Sequence, residues 1–163
     1  MIILSVIALI FLIIMISPLF YIIFGLSFGN DYVIFKNYLD KISKKEKIQI
    51  KYFKTTKELN ITVFNNKKWY NRAEGVYIYS ENINTKEISN SRIYLCNSLH
   101  FSINDNSIYN LLVYAHELGH YFRISKYNDK SEKSADLYAI KLLKEGLPNY
   151  RFYYPLIFFL SIG

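Results

Sequence analysis

Residues 1–28, MIILSVIALIFLIIMISPLFYIIFGLSF, contain no charged side chain. As a helix this run extends roughly 40 Å against a hydrocarbon core of about 30 Å, long enough to span a bilayer with some tilt. A cleaved signal peptide is the competing assignment. The basic n-region is absent, however, and the apolar run is longer than an ordinary h-region. The expectation is therefore an uncleaved transmembrane anchor over 1–28, in which a kink at Pro18 is tolerated because neighbours or water satisfy the freed carbonyl.

Lys36, Lys41, Lys44, Lys45 and Lys47 follow within about 20 residues of this run, and its amino side has no Lys or Arg. Residues 29–47 thus read as a basic juxtamembrane segment, and the positive-inside rule puts the remainder, 48–163, on the cytoplasmic side of a single-pass membrane protein. The formal net charge is +7. No nucleic-acid-binding motif accompanies it, so attraction to anionic membrane lipid is the simpler account and no nucleic acid is expected as partner.

A chain of 163 residues has room for one domain of ordinary size behind the anchor. Hydrophobic residues at 52% exclude a disordered chain. Cys96 is the only cysteine, which rules out an intrachain disulfide and a thiolate metal cluster, and its place in the apolar run RIYLC reads as a buried structural thiol.

The runs LNITVF (59–64), GVYIYS (75–80) and SRIYLCN (91–97) are β-branched and aromatic and are read as strands, with turn chemistry at Asn65-Asn66 and 82–90. Residues 42–54 fit helix, strand, or one followed by the other. From Ser107 the apolar period changes to three and four, through Ile108, Leu111, Leu112, Ala115, Leu118, Gly119 and Phe122, with N-caps available from Asp105 to Ser107. A second helical stripe follows from about Ser131 to Glu145 and stops at Gly146 and Pro148. Strands followed by two helices make an α+β domain. The apolar end YYPLIFFLSIG suits either core packing or contact with the membrane interface.

On the first of these helices lies His116-Glu117-Leu118-Gly119-His120. Histidines four apart project from one side of a helix and can take two corners of a tetrahedral zinc site. Glu117 falls further round, where it can act on water as general base without ligating. A HExxH match arises by chance in roughly one chain in a hundred of this size, but chance matches lack the amphipathic helix and the carboxylates that follow here. His100 has no partner at ligand spacing and reads as a surface loop residue.

One Zn2+ held by two histidines needs a third protein ligand, and Asp129, Glu132, Asp136 and Glu145 lie downstream. Glu132 and Asp136 are four apart on the second helix. Glu132 is placed to ligate, and Asp136 to accept a hydrogen bond from a ligand histidine and fix its tautomer. A connection of about six residues, SKYNDK, would let the two helices pack antiparallel.

HELGH at 116–120 together with EKSADLYAIKLL at 132–143 resembles the ImmA/IrrE group of zinc metallopeptidases, whose second helix carries a glutamate ligand in a Glu-x-x-Ala-x-x-x-Ala setting. The resemblance runs from about residue 60 to 143. It implies a compact zincin-like fold and hydrolysis of a protein or peptide substrate, often a transcriptional repressor. HtpX-like membrane metallopeptidases share HELGH and a later Glu-x-x-Ala-Asp, and stand as the alternative; an inactive, membrane-anchored binding module is the rival from another class. For the oxyanion, Tyr121, Tyr127, Tyr138, Tyr150 and Tyr153 are all available. In such a fold the substrate lies along an edge strand, for which Arg92–Cys96 is the expected element.

Overall fold

The computed structural model describes residues 30–65, 74–96 and 108–153. The 1–28 run, His100, the caps at 105–107 and the end beyond Tyr153 lie outside them. Among the described residues no helix is long and apolar enough to cross a membrane. These residues form a small α+β domain in the order α1 (Asp31–Lys45), β1 (Gln49–Phe53), α2 (Thr56–Phe64), β2 (Gly75–Glu81), β3 (Ile88–Cys96), α3 (Ile108–Tyr127), α4 (Glu132–Gly146), and a 3-10 turn at Tyr150–Tyr153.

Most of the basic segment 29–47 is helical. This helix is α1, and its Phe35 and Leu39 are wholly buried in the main core. Helix gives way to strand at Lys47, which adopts a left-handed φ of 56° while the Ile48 N–H closes on Ser43 O at 2.9 Å. That capped reversal resolves 42–54 as helix followed by strand.

Leu59–Phe64, expected as a strand, belongs to helix α2. Thr55 is its N-cap and accepts from the Glu58 N–H at 3.1 Å, and the Glu58 carboxylate reaches back to the Lys54 N–H at 3.0 Å. Asn65 ends the helix in the left-handed region at φ 53°. Two satisfied ends outweigh the strand preference of Ile61, Thr62 and Val63, a preference worth only tenths of a kcal/mol per residue, up to about 1.

The sheet order is β1-β3-β2, with β1 parallel to β3 and β2 antiparallel to it. Arg92–Cys96, expected at an edge, is therefore central: Arg92 pairs with Gln49 on one side and Ile78 on the other. A centre strand has no free ladder groups to offer a peptide. Side chains of β3 alternate, Ile93 and Leu95 entering the main core and Tyr94 and Cys96 facing a smaller cluster with Phe53 and Leu59. Cys96 is buried there.

Helix α3 joins the main core through Leu111, Leu112, Ala115 and Leu118, and α4 through Ala139, Leu142 and Leu143. The turn between α3 and α4 is tighter than expected. Helix α3 runs on to Tyr127, Asn128 takes the left-handed cap at φ 50°, and Ser131 caps α4 by accepting from the Ser134 N–H at 3.3 Å.

Candidate metal centre

Helices α3 and α4 meet at Gly119. A Cβ built there would stand 2.5 Å from Ala135 O and 3.0 Å from Ala135 Cα, so only glycine permits this approach. The contact brings the first turn of α4 over the histidine side of α3.

His116, His120 and Glu132 converge there. One ligand atom from each lies within 4.8 Å of the others. The Glu132 Oε2 is 3.0 Å from His116 Nε2 and 3.2 Å from His120 Nε2. Ligands about 2.0–2.2 Å from a tetrahedral ion stand roughly 3.3–3.5 Å apart, so these separations are close to the edges of a zinc tetrahedron. The fourth direction is open, because the Glu132 side chain is 77% exposed while those of His116 and His120 are 14% and 13% exposed.

Asp136 holds His116 from behind, with Oδ1 2.8 Å from Nδ1. A proton on Nδ1 for that bond leaves the neutral ring's Nε2 lone pair facing the Glu132 carboxylate. Two acceptors 3.0 Å apart require a cation between them, either a proton or a metal, and a metal fits the donor set. His120 has its proton affinity lowered by burial and by the neighbouring His116 imidazole, with Glu132 opposing both. A neutral imidazole is the form that ligates.

Glu117 points to the sheet side of α3 and is buried. Its carboxylate lies against Gly75, where a Cβ would come within 2.9 Å of Oε1, and it accepts a hydrogen bond from the Tyr77 backbone of β2. Burial, reinforced by the nearby Glu132 charge and opposed by that hydrogen bond, pushes its pKa up to about 8. A bound divalent cation acts the other way and favours the carboxylate.

The other carboxylates are engaged elsewhere. Asp129 accepts from Arg123 Nη2 at 2.8 Å and from the Ser131 N–H at 3.0 Å; hydrogen bonds from Ser134 and Arg123 hold it well below the usual carboxylate range. Glu145, at the far end of α4, accepts from Tyr38 at 2.8 Å. Of the tyrosines, Tyr121 donates to Glu46 and Tyr153 to Asp31, while Tyr138 stacks on Phe122.

The sequence reading missed Gly75, Gly119 and the Tyr77 N–H. A glycine inside a helical stripe and another at the start of a strand both signal close approach of something else, but neither says of what. No protein family, curated protein or solved structure matches the chain.

Proposed function

We propose that this chain is a membrane-anchored zinc peptidase of zincin type, with His116, His120 and Glu132 as metal ligands and Glu117 as general base. The observation that carries the proposal is the pairing of an open three-donor cluster with a buried carboxylate, Glu117, that is not one of the three donors. A purely structural metal site has no use for Glu117, whose burial is offset only in part by the Tyr77 N–H.

Zinc, when bound, supplies Lewis acidity toward a scissile carbonyl and toward water. The chain's residues do the rest. Asp136 fixes the His116 ring so that Nε2 presents its lone pair to the site. Glu117 takes a proton from the attacking water as the new C–O bond forms, and returns it to the amine nitrogen as the C–N bond breaks. The Tyr77 N–H orients the Glu117 carboxylate during both transfers.

Since β3 is central, the substrate strand is assigned to the outer edge of β2, which pairs with β3 on one side and adjoins Glu117 through Gly75 and Tyr77. An extended peptide added there would run past the metal centre. The ImmA/IrrE resemblance favours a protein substrate, and the lysines of α1 favour the cytoplasmic side. The test is incubation of the zinc-loaded, full-length protein with a mixed peptide library in heavy-oxygen water. New carboxyl termini should carry the label, vanish on chelation and return with zinc. Label-free or chelator-insensitive cleavage would refute the assignment.

A further inference from the structure

The turn between α3 and α4 carries a cation across to β2. Lys130 places its ammonium 3.4 Å from Glu81 Oε2 and 5.7 Å from the centre of the Tyr79 ring. Lys86, in the β2–β3 turn, reaches the other oxygen of the same carboxylate, Nζ to Oε1 at 3.6 Å. The Glu81 side chain is 22% exposed, whereas those of Lys130 and Lys86 are 57% and 64% exposed. One partly buried negative charge is thus shared by two outward ammonium groups, and this end of β2 presents a surplus positive charge. Ion pairs as exposed as these add little to stability, so folding alone does not call for the second lysine.

The position of that charge along the strand gives it a use. The Glu74 C=O is turned toward β3, where it accepts from the Cys96 N–H at 2.8 Å. Alternation along the strand then aims the main chain of Gly75 and Tyr77 at the outer edge, the side on which the Tyr77 N–H meets Glu117. Among the described residues β2 is an edge strand. A peptide joining that edge antiparallel, the pairing with the more favourable ladder, runs its residues before the scissile bond toward Tyr79 and Glu81. The strand from Tyr77 to Glu81 covers about 13 Å, so the two lysines stand about two to four residues upstream of the reacting carbonyl.

We infer that Lys130, supported by Lys86, is a specificity-determining residue that selects peptides with an acidic side chain about two to four residues before the scissile bond. This rests on the peptidase reading and on the peptide lying along β2. Lys130 is followed by the Ser131 cap and then by Glu132, so the turn that places the metal ligand also places the cation. Glu81 holds both ammonium groups beside the edge without neutralising the pair, and an incoming carboxylate meets the surplus charge. A basic side chain at the same place meets two lysines and is disfavoured.

The test uses the zinc-loaded, full-length protein and one peptide that it cleaves, remade with Glu, Gln or Lys in turn at each position flanking the bond. At an upstream position so placed, kcat/KM for Glu should exceed that for Gln by about 3 to 5-fold, with Lys below Gln. Lys130→Met should bring these ratios toward one, and Lys130→Glu should invert their order, both at unchanged zinc content. Lys126→Glu, which removes an ammonium lying over Phe122, should keep the original order. Raising the salt to about 0.5 M should compress the Glu preference. Equal cleavage of Glu and Gln peptides at every upstream position, a preference confined to downstream positions, or a preference that persists in Lys130→Glu overturns the inference and leaves the peptidase assignment standing. Failure of the zinc-loaded protein to cleave any peptide overturns both.

Discussion

Gly119→Ala separates two opposed effects of a single methyl group. In an unstrained helix, alanine in place of glycine stabilises by about 1 kcal/mol. Here the new Cβ stands 2.5 Å from Ala135 O, whereas ordinary contact begins near 3.4 Å, so α4 must retreat by about 0.9 Å. Backbone cannot rotate aside as a side-chain tip can, and overpacking of this kind costs about 1–3 kcal/mol. The net expectation is a loss of up to about 2 kcal/mol in the metal-free protein. The same retreat carries Glu132 and Asp136 away from the histidines, beyond the roughly 0.2 Å that a metal site tolerates. Lengthening the 2.8 Å bond between Asp136 and His116 alone should weaken zinc by about 10 to 100-fold. Denaturant unfolding of the metal-free protein and competition with a chromophoric chelator read the two quantities. A variant that is about 1 kcal/mol more stable, with unchanged zinc affinity, would show that helix propensity dominates and that the α3–α4 contact does not position the site.

Other perturbations separate the roles of neighbouring groups. Glu132→Ala should abolish stable zinc binding and Asp136→Ala weaken it by about 10 to 100-fold, whereas Asp129→Ala and Glu145→Ala, whose partners are Arg123 and Tyr38, should leave chelator competition nearly unchanged. Gly75→Ala places a Cβ 2.9 Å from Glu117 Oε1 and should cut peptide turnover by about 100-fold at unchanged zinc content. In the metal-free protein Glu117 keeps its proton to about pH 8 when folded but loses it in the ordinary carboxylate range when unfolded. Stability should accordingly fall from about pH 5 to pH 8, by at most about 1.4 kcal/mol per unit, and Glu117→Gln should flatten that slope in pH-dependent unfolding.

The helices of the site were legible because their signals are local. Ile108, Leu111, Leu112, Ala115 and Leu118 mark α3 by period, and Ala135, Tyr138, Ala139, Leu142 and Leu143 mark α4 in the same way. The placement of Glu132 and Asp136 on one side of α4 follows from their spacing, and the short Asn128–Ser131 turn brings both to the histidines. Leu59–Phe64 was misread because β-branched content was weighed above the Thr55 and Glu58 cap that precedes it. The position of β3 between β1 and β2 could not be read, since pairing order depends on contacts distant in sequence. The same holds for Gly75 and Gly119, whose partners Glu117 and Ala135 come from other elements. Tyr153, at the start of the apolar end segment, is buried against Asp31, so core packing accounts for that residue.

In the proposed mechanism Glu117 works on the substrate's protons while His116, His120 and Glu132 hold the metal. Zinc content and peptide hydrolysis measured on one preparation of Glu117→Gln test it most directly. One zinc per chain is expected, as in the unaltered protein, with turnover reduced by several orders of magnitude. Loss of zinc together with activity, or full activity in the variant, would contradict it.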